Sequence, residues 1–365
     1  MTPSAPNPQI PGLTLQGYAA LLGTHPQAAR PAYLAAMRGG EGLDLPQPTR
    51  VEESGGTIKF CLPVGEANGK MLETESVIIP MESFRGTRWY TLCVSSQVGC
   101  RMGCTFCETG RMGLIRNLTP AEIVRQRLVA RQLLLVKETT EARSCEENEL
   151  PRRSFKGVKY HSDGIQNIVF MGMGEPLDNF DNLVQAIRVL NDPAGLDFPL
   201  AQITVSTVGR IDGLKRLAAL QWPNLRLAIS LNAATDETRS RIMPINNAMP
   251  LADLQRTLLE YPLAKKGRFL IEYVLIKGVN DSLADAEAVA AFCRPLPCIV
   301  NLIPYNPQRF AGFETPDEPA IMAFLVHLKS SGIFVKRRVT HGRDLMGACG
   351  QLGNPQITRL SVLRA

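Results

Sequence analysis

Residues 90–107 read YTLCVSSQVGCRMGCTFC, and this stretch decides the fold. An aromatic and β-branched run at 90–95 has the look of a strand, and a glycine-broken loop follows with cysteines at 100, 104 and 107. Outward from it, strand-like runs recur at 166–171, 203–207, 225–231, 269–276 and 298–304. Helical patterns fill the gaps, at 119–135, 181–190, 213–220, 251–261 and 283–292. The first of these opens on Thr119-Pro120-Ala121-Glu122, a capping box with proline at the first helical position. Strands alternating with helices predict parallel pairing, because a parallel return needs a crossover. Six such units are too few for an eight-stranded barrel. The expectation is an α/β fold built on a partial (βα)6 barrel, with its site at the C-terminal ends of the strands.

Residues 1–47 read as a small helical domain (LTLQGYAALLG, then PAYLAAMRGG), and 48–89 as a strand-rich extension containing TIKFCLPV and ESVIIP. The barrel is expected over 90–310 and a C-terminal extension over 311–365, with a helix near 318–330, a strand-like IFVKRRV and then HGRDLMGACGQLGNP. The charged, aperiodic stretch 138–163 reads as a flexible surface insertion.

The chain has 45% hydrophobic and 20% charged residues and a net charge of +6, as an ordinary globular protein does. It has no apolar run of the roughly 20 residues a membrane helix needs, and no basic-then-apolar export signal. A cytoplasmic protein that engages no membrane is expected. Arg85, Arg88, Arg101, Arg111 and Arg116 flank the cysteine loop, while Lys336, Arg337, Arg338, His341 and Arg343 crowd a late segment. Together they tilt the reading toward nucleic acid. Nine cysteines without an export signal argue against a disulfide scaffold. Cys61, Cys145, Cys293 and Cys298 read as small buried residues.

Cys100, Cys104 and Cys107 offer soft thiolates but no local fourth ligand for zinc. Three thiolates can hold three irons of a [4Fe-4S] cluster and leave one iron open, where the amino and carboxylate groups of S-adenosylmethionine (SAM) can chelate. Met171-Gly172-Met173-Gly174-Glu175-Pro176 follows the next strand and would suit the SAM amino group. Ser206, Thr207, Ser230, Asn232 and Asn306 place hydroxyls and amides at further strand ends.

From about residue 73 to 352 the chain resembles the RlmN/Cfr radical SAM methyltransferases, which methylate adenine in RNA. The resemblance rests on CVSSQVGCRMGCTFCETG, RNLTPAEI, FMGMGEPLDN, VSTVG, ISLNAATDETR, MPIN, IEYVLIKGVNDS, VNLIPYNP and ACGQL, in that order. It implies cluster ligation by Cys100, Cys104 and Cys107, and SAM contact by Gly174, Glu175, Ser206, Ser230, Leu231, Asn232 and Asn306. It also implies a methyl-carrying Cys349, a product-releasing Cys93 and a proton-accepting Glu75. Two SAM are used per turnover: one methylates Cys349, and the second, cleaved at the cluster, supplies a radical. The implied partners are 23S rRNA, tRNA in one branch, and an electron donor such as flavodoxin, with the protein a monomer. The helical preface would help grip RNA. Departures are Asn232 where relatives usually carry His, and GRDLMGACGQL where an acidic Asp-Ile-Asp-Ala-Ala commonly precedes the cysteine. The resemblance implies methylation of carbon 2 of an adenine in 23S rRNA, and in tRNA in one branch, with methylation of carbon 8 as the alternative left open. A non-RNA substrate also stays open, as does an RNA-binding or sensor protein with a structural cluster.

Overall fold

The computed structural model describes residues 9–142, 161, 163–309, 312–354 and 356–363. Its strands are β1 (Arg50–Ser54), β2 (Thr57–Ala67), β3 (Lys70–Glu82), β4 (Arg88–Cys93), β5 (Gln97–Val98), β6 (Arg116–Asn117), β7 (Ile165–Phe170), β8 (Ile203–Thr207), β9 (Arg226–Ser230), β10 (Phe269–Leu275), β11 (Cys298–Pro304) and β12 (Val335–Arg337). Its α-helices are α1 (Leu15–Leu21), α2 (Pro26–Leu34), α3 (Glu108–Met112), α4 (Pro120–Ala142), α5 (Phe180–Asn191), α6 (Ile211–Ala219), α7 (Asp236–Ile242), α8 (Leu251–Leu259), α9 (Leu283–Cys293), α10 (Glu318–Ser330) and α11 (Arg359–Leu363).

Ten strands form one sheet in the order β1-β2-β3-β4-β7-β8-β9-β10-β11-β12, while β5 and β6 pair separately. From β4 to β12 every pairing is parallel. From β1 to β4 every pairing is antiparallel. The six βα units are therefore present, and β12 adds a seventh parallel strand. The strand-rich extension is not a separate layer: it continues the sheet from the outer edge of β4. The sheet ends at β1 on one side and β12 on the other, so the barrel is partial.

The parallel strands are buried nearly throughout, because helices cover the sheet. Ile168, Phe170, Ile203, Val205, Leu227, Ile229, Ile271, Val300 and Leu302 are all buried. Each such side chain contributes about 1.5–3 kcal/mol on leaving water. The capping box is formed: Glu122 N donates to Thr119 Oγ1 at 3.3 Å and Thr119 N donates to Glu122 Oε2 at 2.8 Å.

Three expectations change. No Gly or Pro follows Leu135 to stop α4, which runs on to Ala142 through residues first read as insertion. Residues 143–160 and 162, with Cys145, lie outside the described residues, but Asp163 at the end of that stretch is buried and ion-paired with Arg127. Finally, α2 begins at Pro26 with His25 as its cap and carries Pro31 inside it, where the sequence suggested a start at Pro31. Past Leu34 the chain loosens into a π-turn over Ala35–Gly39. The preface docks outside the barrel: Leu15 N donates to Asp192 Oδ2 at 2.6 Å and Arg38 Nε to the Gly195 carbonyl at 2.7 Å. Among the described residues no helix is long and apolar enough to cross a membrane.

Candidate functional site

The loop after β4 carries the three-cysteine motif. Gly103 turns it with a φ of 67°, Cys100 N donates to the Gly113 carbonyl at 3.1 Å, and Cys107 caps α3. Cys100 and Cys104 are buried in a small apolar cluster with Met102, Phe106, Ile242, Met243 and Tyr305, and Cys107 packs against it. Burial pushes all three thiols above the ordinary cysteine range, and at Cys104 the neighbouring Cys107 adds to the rise. All three are free thiols. Among the described residues no three His, Cys, Asp or Glu side chains converge tightly enough for a single metal ion. The three thiols share one loop and one apolar cluster, a soft donor set of the kind that holds a [4Fe-4S] cluster with one iron left open. The donor set therefore fits an iron–sulfur cluster.

A polar ring borders this loop. An added carbon at Gly172 would meet the Val94 carbonyl at 2.7 Å, and one at Gly174 would meet the Gln97 side chain at 2.6 Å. Glu175, buried, donates its amide to Gln97 Oε1 at 2.8 Å, while its carboxylate accepts from Leu177 N at 3.1 Å and Val208 N at 2.9 Å. Burial raises its pKa, and those amides oppose the rise. Cys100 and Cys104 both feel its charge, so it lies beside the cluster loop. Ser206 and Ser230 are half-buried near the ends of β8 and β9. Leu231 is buried and its amide donates to the Glu272 carbonyl at 3.0 Å. Asn232, at a φ of 57°, is committed to the scaffold: its Oδ1 accepts from Val274 N at 2.9 Å and its Nδ2 contacts Met243 Sδ at 3.3 Å.

The third part is the segment around Cys349. Glu108 N donates to the Gly350 carbonyl at 2.9 Å, Thr109 Oγ1 to the Leu352 carbonyl at 2.5 Å, and Gln351 Nε2 to the Pro307 carbonyl at 2.7 Å. Asn306 Nδ2 donates to the Cys349 carbonyl itself at 3.2 Å. This segment is thus bound to the cluster loop and to the end of β11. Cys93, at the end of β4, is pushed up to about 12 by burial and then by the nearby Cys349. Arg338 faces both thiols and Glu272, with Cys349 the largest influence holding the guanidinium charged. Both cysteines are free. Glu75 on β3 is buried against Lys59 at 2.9 Å, with Arg50 at 3.7 Å, and accepts from Gly353 N at 3.2 Å. Glu75 and Cys349 therefore share one wall, although they are far apart in the chain.

Sequence reasoning missed Lys59, Arg239 and Arg338 as site-building residues. Arg239 is buried and ties together the loops after β8 and β9, through the carbonyls of Val208 at 2.6 Å and Leu231 at 3.1 Å. A lysine inside the apolar run TIKFC was the available signal for Lys59. The basic groups also read differently in place. Arg101 pairs with Asp178, Arg116 with Glu122, Arg88 with Glu82 at 3.0 Å and Arg337 with Glu318, so much of that charge is used internally.

No protein-family model matches the chain. It is 40% identical over 288 residues to a Protochlamydia amoebophila (strain UWE25) protein named probable dual-specificity RNA methyltransferase RlmN 1, covering 79% of this chain and 72% of that one. A Syntrophotalea carbinolica protein named dual-specificity RNA methyltransferase RlmN is 41% identical over 307 residues, covering 84% of this chain and 72% of that one. Among solved structures, a radical SAM methyltransferase from Sphaerobacter thermophilus matches with a TM-score of 0.78 and 33% identity, over 93% of this chain and 98% of the other.

Proposed function

The chain belongs to the RlmN family of radical SAM RNA methyltransferases, and from that premise we propose that it methylates carbon 2 of an adenine in 23S rRNA, and in tRNA, through a methyl carried on Cys349. Cys100, Cys104 and Cys107 would hold a [4Fe-4S] cluster, charged by an electron donor such as flavodoxin. Gly174, Glu175, Ser206, Ser230, Leu231, Asn232 and Asn306 would line SAM. When bound, that pair supplies a methyl group and a carbon radical strong enough to take hydrogen from a methyl.

The chain's own residues do the rest. Carbon 2 of adenine lies between two ring nitrogens and is not nucleophilic, so the methyl is first parked on a thiol. The hydrogen bonds at Cys349, Gly350, Gln351 and Leu352 keep that thiol close to the cluster loop. Glu75, beside Lys59, takes the carbon 2 proton: the C–H bond breaks, an O–H bond forms, and the electron pair stays with the ring. The Cys93 thiolate then attacks the Cys349 sulfur: a disulfide forms, the sulfur–carbon bond breaks, and its electron pair goes to the methylene carbon on the base, which takes up a proton and becomes the methyl group.

The observation that carries this reading is the Cys349 segment itself, tied to the three-thiol loop through Glu108 N and the Gly350 carbonyl, to Glu75 through Gly353 N at 3.2 Å, and lying near Cys93. Mass spectrometry of digested 23S rRNA and tRNA, from cells with and without the protein, tests it. The expected product is 2-methyladenine, lost in Cys349→Ala. Detection of 8-methyladenine alone, or of no methylated adenine, overturns it.

A further inference from the structure

The Lys59–Glu75 pair does more than fill the sheet. Lys59 is buried on β2, and its Nζ reaches Glu75 Oε2 at 2.9 Å and the Met346 carbonyl at 3.1 Å. Glu75 Oε2 in turn accepts from Gly353 N at 3.2 Å. Met346 and Gly353 flank Cys349 on either side, so one ion pair grips the methyl-carrying segment at two points. Met346 is held at a φ of 51°, a left-handed conformation that is costly for a side chain with a Cβ. Its carbonyl is thereby aimed at the lysine. An added carbon at Gly347 would stand 3.8 Å from the Lys59 side chain, which brings the segment's backbone down onto β2.

Other anchors of this segment, to Glu108, Thr109, Asn306, Pro307 and Gln308, join neutral groups, and Arg343 donates to the neutral Asn306 Oδ1 at 3.3 Å, so none of them changes charge when Glu75 takes up a proton. The grip through Glu75 does. An ionised carboxylate makes a charge-assisted pair with Lys59 and a strong acceptor for Gly353 N. A protonated one loses the first and weakens the second. The charged or titratable groups facing Glu75 are Lys59 and Cys61 on β2 and Arg50 on β1.

We propose that Lys59 is a positioning residue which, with ionised Glu75, latches the Cys349 segment shut, and that proton uptake by Glu75 loosens the latch. The second half rests on Glu75 being the proton acceptor of the proposed reaction. The step that removes the carbon 2 proton then also loosens the Cys349 segment, so that its sulfur can close the remaining distance to the nearby Cys93. Proton transfer and release of the product are thereby ordered: the grip lasts until the base has finished with its substrate.

Hydrogen–deuterium exchange of the holoenzyme, read on peptides covering 342–354, tests the latch without reference to turnover. Glu75→Gln mimics the protonated acid with little change of shape, and Lys59→Met removes the cation. Both are expected to speed exchange in this segment about tenfold, as befits the loss of one net hydrogen bond to a charged group. Peptides from β8 keep their rate, and Lys59→Arg restores protection. Unchanged exchange in Glu75→Gln overturns the latch, and it decides the matter alone should Lys59→Met fail to fold. Absence of methylated adenine in RNA would count against the methyltransferase reading instead, since exchange does not depend on it.

Discussion

At Gly174 a single hydrogen stands where any other residue would set a carbon 2.6 Å from Gln97, and the backbone there has a φ of 102°. Gln97 is the acceptor for the Glu175 amide, at 2.8 Å. Gly174→Ala is therefore expected to cost about 1–3 kcal/mol and to displace Glu175, read as a lowered urea midpoint and weakened SAM binding in calorimetry. Residues of this kind were legible because a local motif states them. Cys100, Cys104 and Cys107 lie within eight residues, and the Gly-Glu-Pro follows directly on a strand. A lysine in the apolar run TIKFC marks Lys59 as unusual, but its role was not legible. Its meaning comes from Glu75 and Met346, one on the neighbouring strand and the other nearly 300 positions away, and no local spacing encodes that meeting.

Between elements, α4 is fixed to the sheet by polar groups as much as by apolar ones. Gln126 Oε1 accepts from Ser76 Oγ at 2.7 Å and from Ser95 N at 2.7 Å, so one side chain bridges β3 and the loop after β4. Arg127, on the same helix, reaches Asp163 at 2.5 Å with both groups buried, just before β7. Arg127→Met leaves Asp163 buried with the Ile165 amide at 3.1 Å and Arg131 as its remaining cation among the described residues, at 3.8 Å. The expected loss is about 3–5 kcal/mol, measured as a fall in the denaturation midpoint, and Asp163→Asn in the same background is expected to recover part of it. Strand and helix order was readable from periodicity, and β8 and β11 fall on the expected residues. Element ends were less so. Helix α4 overran its expected stop because nothing after Leu135 breaks a helix, and α2 swallowed Pro31 because His25 and Pro26 supplied an earlier start. The short α3 went unseen because five residues are too few to display a helical period, and α7 because DETRSRI holds a single apolar residue to show one.

For the whole molecule, the three-thiol motif lies on a loop, while the ten-stranded sheet is held together by its own backbone pairing. Removing iron with a chelator is accordingly expected to leave the far-ultraviolet circular dichroism and a cooperative melt in place. Cys100, Cys104 and Cys107 should then become open to alkylation. Collapse of the spectrum on chelation would show instead that the fold depends on metal. That the antiparallel strands extend the parallel sheet at β4, rather than forming a layer of their own, was not legible, because pairing partners are a property of the assembled chain. The arrangement leaves two outer borders. One is β1, five residues reading RVEES, and the other is β12, three residues reading VKR. Charged side chains line both, and neither is long enough to template a foreign strand, so an unclosed sheet of this width can stay dispersed where a long, greasy border would recruit copies of itself.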